Sequence, residues 1–163
     1  AYTINDETVS CNWESRGWRL PTEAEWEYCA RGGEEHLYAG SDEVEAVAWF
    51  GHVYWNTETH ERFVGPEGNS DRKIQPVGLK QANGFGLYDM SGNVDEWCWD
   101  WLEYDYARRD ATDSRGPSKG TFRVTRGGNF GYSKRYARVS NREALDPSRS
   151  SYSTGFRLVR TLD

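Results

Sequence analysis

The sequence predicts an α+β domain with little regular secondary structure and long ordered loops, and three observations lead there. One stretch carries helix signals at both ends, a few short stretches alternate with the period of a strand, and 17 glycines with long polar runs fill the remainder. The 163 residues suffice for one domain that buries roughly 70% of its unfolded surface and are too few for two ordinary ones. Residues 1–163 are therefore read as a single domain. With 8 Trp and 10 Tyr against 1 Met, its core is expected to consist of large rings whose polar edges need hydrogen-bond partners.

The helix is placed at residues 22–31. Thr22 follows Pro21 as the N-cap, Glu25 closes a capping box, and Gly32 with Gly33 supplies a left-handed C-cap. Trp26, Cys29 and Ala30 recur at the spacing of a core-facing stripe, which leaves Glu23, Glu27 and Arg31 for solvent. Residues 32–84 read as loops, with two pieces at 47–50 and 75–78 too brief for more than edge strands. Loops of this length need pinning, by a bound metal or by hydrogen bonds from Trp and Tyr. Residues 94–102 alternate as a strand, with Trp97, Trp99 and Trp101 on one face and Glu96, Cys98 and Asp100 on the other. Residues 122–126 and 155–159 read as a closing pair of strands, and no sustained period, repeat or low-complexity tract lies between them.

Charge divides along the chain. Residues 123–160 hold nine basic and two acidic residues, a local +7, while the remainder carries −13 and the whole −6. A nucleic-acid binder is more usually basic overall, so no nucleic-acid partner is expected. The basic stretch is read as arginines pairing with the acidic body, with a partner surface as the alternative. Cys11, Cys29 and Cys98 allow at most one disulfide, and their spacing matches no zinc pattern, nor do His36, His52 and His60 cluster. A mean hydropathy of −0.91, with no apolar run near about 18 residues, predicts a soluble chain without a transmembrane segment. The residues after Ala1 carry no charged-then-apolar leader pattern.

Four ordered blocks resemble one family. They are residues 19–28; residues 83–94, followed by Glu96 and Trp97; Arg126, Gly127 and Gly128; and Gly155, Phe156, Arg157 and Leu158. Together they resemble the formylglycine-generating enzymes that modify sulfatases and the wider set of domains sharing their variant of the C-type lectin fold. The resemblance implies that fold, and a chain corresponding to the C-terminal part of a longer domain. It also implies, for the enzymes, a cysteine pair shortly after the Gly-Gly motif that binds copper and oxidises a substrate cysteine. The matching positions fall near Tyr132 and Ala137, and no cysteine follows Cys98. Without a thiolate both nucleophile and metal ligand are gone, so no copper and no formylglycine generation are expected.

Another branch of the family comprises the variable proteins of diversity-generating retroelements, in which adenines of a segment between Gly-Gly and Gly-Phe-Arg are rewritten. This sequence resembles that branch, with residues 127–155 as the candidate variable segment. Rewriting an AAC codon yields Tyr, Ser, Gly, Ala, Asp, Leu, Arg or Thr but never Lys or Glu, so Lys134 and Glu143 are expected to be fixed. Tyr offers rigid amphipathic contact area and Ser or Gly adaptable polar contacts, a composition shared with antibody loops. The expected contact residues are Gly131, Tyr132, Ser133, Arg135 and Tyr136, then Ala144, Leu145 and Asp146, and finally Ser151, Tyr152, Ser153 and Thr154. Arg138, Asn141, Arg142 and Arg149 are expected to brace the segment from beneath.

Asp89 and Glu96 flank a glycine-containing turn. The Asp89 side chain, the Gly92 and Val94 carbonyls and Glu96 offer hard oxygens of the kind calcium takes, although the spacing alone favours a surface turn with solvated acids. The resemblance favours a structural calcium, because the enzymes bind one through matching positions. The reading is a non-catalytic ligand-binding display protein whose partner is a protein or surface ligand, located at the cell surface or outside the cell by resemblance alone. The alternatives are a related oxidoreductase, such as an iron-dependent enzyme that would need a facial histidine cluster, and a decayed domain of a larger protein.

Overall fold

The computed structural model describes residues 1–5, 8–55, 58–59, 61–65, 67–105 and 114–161. An antiparallel hairpin of β1 (Tyr2–Asn5) and β2 (Thr8–Cys11) precedes α1 (Glu23–Arg31). The helix starts where its capping box predicts: Thr22 Oγ1 accepts the Glu25 amide at 3.2 Å, and Glu25 accepts the Thr22 amide at 2.8 Å. Gly32 ends it with a φ of 60°. Arg19 fixes the same carboxylate with two hydrogen bonds of 2.6 Å, tying the entering chain to the first turn.

Short elements follow: α2 (Val44–Val47), β3 (Ala48–Trp49), β4 (Val53–Trp55), β5 (Arg62–Val64) and β6 (Ser91–Gly92). The piece at 47–50 thus splits between the end of α2 and β3, and the piece at 75–78 forms no strand. The main sheet has the order β10-β7-β8-β9, from β7 (Asp95–Trp101), β8 (Arg123–Arg126), β9 (Glu143–Leu145) and β10 (Thr154–Gly155). The expected closing pair is therefore corrected: residues 122–126 and 155–159 do not pair with each other. Instead β8 runs antiparallel on one side of β7, and β10 runs parallel on the other. Beyond Gly155 the chain returns to the N-terminal region, where Val159 and Arg19 exchange backbone hydrogen bonds of 2.9 and 3.0 Å.

β7 departs from the expectation of a core built from large rings. Trp97, Trp99 and Trp101 do share a face, but it is the half-buried outer one, whereas Glu96, Cys98 and Asp100 are buried. Tyr2 stacks on Trp99 at 5.5 Å, and the Arg123 guanidinium lies 3.7 Å from the Trp101 ring centroid. The inward carboxylates are accommodated because each meets a donor. Asp100 accepts the Glu23 amide at 2.7 Å, and Glu96 accepts the Trp26 indole at 2.7 Å.

Aliphatic packing lies in two adjoining clusters. Trp26, Ala30, Ala39, Met90, Cys98, Val124 and Val139 fill the space between α1 and the sheet, and Tyr38, Val44, Val47, Ala48, Phe50 and Ala137 form the second. The long loops are pinned chiefly by amides and hydroxyls rather than by Trp or Tyr. Asn83 donates to the Cys29 and Ala30 carbonyls, Asn69 to Ala48, and Ser70 to Phe130, all within 2.6–3.1 Å. All three cysteines are free.

Glu23, expected at the surface, is buried at the start of α1 with a side chain 3% exposed. It receives Arg142, with Nη2 at 2.8 Å, and stands 3.6 Å from Nε of the fully enclosed Arg126. Removing one member of a buried charge group leaves the others uncompensated, which costs about 3–5 kcal/mol. Glu23→Ala is accordingly expected to lose stability on that scale in urea unfolding. A loss below about 1 kcal/mol, the range of a surface pair, would contradict this role.

Candidate ligand-binding surface

Residues 129–133 run along the chain at 51–53, and hydrogen bonds hold their backbone there. Gly51 donates to the Tyr132 carbonyl at 2.7 Å, Val53 to Gly131 at 3.2 Å, and Ser133 to Val53 at 2.6 Å. The preceding turn requires glycine: Gly128 has a φ of 74°, and a β-carbon there would lie 2.6 Å from the Tyr136 carbonyl oxygen. With the main chain held in this way, Tyr132 is 39% and Tyr152 84% exposed. A cavity of about 250 Å³ opens between them, lined by Val53, Arg72, Asn129, Phe130, Gly131, Tyr132, Tyr152 and Ser153. Phe130 supports Tyr152 at 6.0 Å between ring centroids, and Tyr136 packs against Tyr132 at 4.9 Å.

Of the expected contact residues, the structure brings Gly131, Tyr132, Tyr152 and Ser153 around this cavity, with Tyr136 alongside. Ser133 and Arg135 line a second cavity. Ser151 pairs its hydroxyl with that of Ser153 at 3.1 Å. Ala144 and Leu145 lie instead on β9, opposite Val124 and Arg123 in the ladder, and line neither cavity. Asp146 follows them and caps Ser148, while Thr154 pairs with Asp95 in the sheet. Among the expected braces, Arg142 grips Glu23, and the Asn141 carbonyl accepts from Arg126. Arg149 is an exposed partner of Asp146 at 3.8 Å, and the Arg138 guanidinium hydrogen-bonds no described residue, so neither side chain braces the segment.

Asp95, which sequence reasoning missed, joins the two ends of the segment. Its carboxylate accepts from Asn129 Nδ2 at 2.5 Å, Asn129 in turn accepts the Gly131 amide at 2.9 Å, and the Asp95 amide donates to Ser153 at 2.9 Å. The only signal for it was an acidic residue beside Glu96 inside a strand. Burial pushes its carboxyl up to about 7 against the Asn129 hydrogen bond, and Glu143 is raised by burial as well.

Of the expected calcium ligands Asp89, Gly92, Val94 and Glu96, the Glu96 carboxylate and the Asp89 carbonyl meet a different cation. Glu96 accepts from Arg157 Nε at 2.5 Å and Nη2 at 2.6 Å, and Nη2 also reaches the Tyr88 and Asp89 carbonyls at 3.2 Å. Asp89 accepts the Gly78 amide through Oδ2, and its Oδ1 is buried without a hydrogen bond. With Glu96 committed to a guanidinium, one side-chain oxygen and two carbonyls remain, short of the six to eight oxygens calcium takes. As arranged, these residues do not fit the ion. Among the described residues no group of three or more His, Cys, Asp and Glu is placed to hold a metal; His60 lies outside them.

The sequence matches the family described as the sulfatase-modifying factor enzyme 1-like domain over residues 3–162, and the chain belongs to that family. It is 39% identical over 166 residues to a formylglycine-generating enzyme of Streptomyces coelicolor, covering 98% of this chain and 51% of the enzyme. It is 35% identical over 162 residues to the chaperone protein LppX of Paenibacillus barcinonensis, covering 94% of this chain and 53% of that protein. The chain thus spans about half the length of these curated relatives. Among solved structures, Treponema denticola variable protein 1 superposes with a TM-score of 0.80 at 34% identity, over 96% of this chain and 52% of that one. The fold is the one the four blocks implied, the C-type lectin variant of the formylglycine-generating type. No helix among the described residues is long and apolar enough to cross a membrane.

Two outcomes follow from this geometry. Because the folded chain holds the Asp95 proton above the ordinary carboxylate value of 3.8, it binds that proton more tightly than the unfolded chain. The contribution of Asp95 to stability therefore falls as pH rises from about 4 to about 7. Asp95→Asn is expected to melt higher than the parent at pH 8, with the gap closing toward pH 4; parallel melting profiles would refute it. The melting midpoint is also expected to be the same in chelator and in about 1 mM calcium. A rise of several degrees with calcium would restore the site.

Proposed function

We propose that this chain is a non-catalytic ligand-binding domain whose contact face lies between Gly127 and Gly155. The observation that carries the reading is the division of labour at residues 129–133 and 152–153. Their main chain is bonded to the scaffold, while Tyr132 and Tyr152 project around an open cavity. A rigid backbone with exposed tyrosines limits the ordering entropy paid on binding and leaves side-chain identity free to change. Ala137 and Val139, buried on either side of the exposed Arg138, hold the segment to both core clusters.

Diversification by a retroelement is supported by the likeness to Treponema denticola variable protein 1 and by the residues found at exposed positions, most of which an adenine-rewritten AAC codon encodes. Lys134, which such a codon cannot encode, is paired with Glu67 at 2.7 Å. Against an oxidase of the formylglycine-generating kind stands the chemistry of the thiols. Burial raises Cys11, Cys29 and Cys98 away from the thiolate form that a nucleophile or copper ligand requires, and none lies beside Tyr132 in sequence. The partner in this reading is a protein or surface ligand met at the cell surface or outside the cell, and Arg157 serves in place of a structural calcium.

Substitutions at Tyr152 are expected to change stability by no more than about 0.5 kcal/mol. Those at Tyr132 or Tyr136, which are less exposed than Tyr152 and whose rings pack more closely at 4.9 Å, are expected to cost about 0.5–1.5 kcal/mol. Binding to a ligand selected on the parent should be lost at all three. Destabilisation above about 3 kcal/mol would mark these tyrosines as core and overturn the reading. Sequencing downstream of the coding gene tests diversification: a near-copy of the segment's codons differing only at adenines is expected, and an identical repeat or none would refute it.

A further inference from the structure

Beside the tyrosine-lined cavity lies a second one of about 360 Å³, whose walls include His52, Glu67, Ser133, Lys134, Arg135 and Arg138. Three cations against one carboxylate converge there in a chain whose net charge is −6. We propose that this cavity is an anion subsite that receives an aspartate or glutamate side chain of a protein ligand.

The state of the two arginines is the first argument. Arg19, Arg126, Arg142 and Arg157 each hold a carboxylate within the fold, whereas Arg135 and Arg138 are exposed and their guanidinium groups make no hydrogen bond or ion pair to a described residue. Glu143 feels Arg135 only through space. A guanidinium fork is shaped for a carboxylate, and these two are left open. The second argument is that a carboxylate already sits on this wall. Lys134 Nζ holds Glu67 at 2.7 Å with the two side chains 46% and 60% exposed, a solvated pair that exchanges readily.

Preorganisation is the third. Ser133 donates to Val53 at 2.6 Å, Gly65 to His52 at 2.6 Å, and Val139 to Leu37 at 2.9 Å, so the backbone carrying the cations is fixed on both sides. Tyr132 lines the first cavity and the next residue, Ser133, the second, so a ligand strand crossing this point meets rings in one and guanidinium groups in the other. A polynucleotide is disfavoured, because its successive phosphates would extend over a surface that is acidic beyond this cluster.

This inference rests on the ligand-binding reading only in assigning the acidic residue to the same ligand. Its test is an NMR titration of the protein with a blocked tetrapeptide of aspartate and glutamate. The amide counterpart of asparagine and glutamine, and inorganic phosphate at matched ionic strength, serve as controls. The acidic peptide is expected to give saturable shifts at the amides of Gly65 and residues 133–138, and the amide peptide none. The double variant Arg135→Gln, Arg138→Gln, with an unchanged melting midpoint, is expected to bind the acidic peptide at least tenfold more weakly. Shifts that do not saturate, a loss smaller than tenfold, or phosphate binding as tightly as the peptide would each overturn the proposal. Failure here with the tyrosine results intact removes only the subsite, while failure of the tyrosine results leaves this titration standing.

Discussion

The Arg126 guanidinium, enclosed between Glu23 and Glu27 of α1, decides where the C-terminal half of the chain goes. Arg126 is the last residue of β8, so satisfying this buried charge sets the helix against the sheet. The same cation donates to the Asn141 carbonyl, and the next residue, Arg142, bonds both oxygens of Glu23. One cluster therefore fixes a helix terminus, a strand end and the middle of the candidate segment. Its geometry is exacting because a buried charge without its partner costs more than most side chains contribute.

That anchorage explains how an irregular surface is held without regular structure. Between residues 127 and 155 the described chain has one short turn of 3-10 helix, one three-residue strand and, at its end, the two-residue β10. Order comes instead from buried points spaced along it: Asn129 on Asp95, Phe130 on Ser70, Ala137 and Val139 in the core, and Arg142 on Glu23. Side chains between those points owe the fold little, which is the physical condition for a surface that tolerates change. Binding energy at such a surface is concentrated in a few aromatic and arginine contacts.

Legibility in the sequence followed the range of the interactions. The helix was readable because each cap acts locally, Thr22 with Glu25 three residues on and Gly32 with the Tyr28 carbonyl four residues back. The alternation of β7 was readable for the same reason, but a period of two separates faces without saying which one is inside. Hydrophobicity suggested the tryptophans, yet the strand buries Glu96, Cys98 and Asp100, because partners 70 or more residues away, Trp26 and the Glu23 amide, satisfy the carboxylates. Glu23 was misplaced for the same reason, its partners Arg126 and Arg142 lying about a hundred residues onward.

By itself the sequence determined what local chemistry and composition can carry: an α+β domain, one capped helix, four ordered motif blocks, and no cysteine beyond Cys98 to act as nucleophile or ligand. The tertiary structure alone decided which charged groups are spent internally and which are open. Arg142 and Arg157 are closed by carboxylates, while Arg135 and Arg138 are not, and nothing in the neighbouring residues distinguishes the two pairs. The physical reason is that an ion pair depends on distance in space, which the chain sets only once distant segments are packed together.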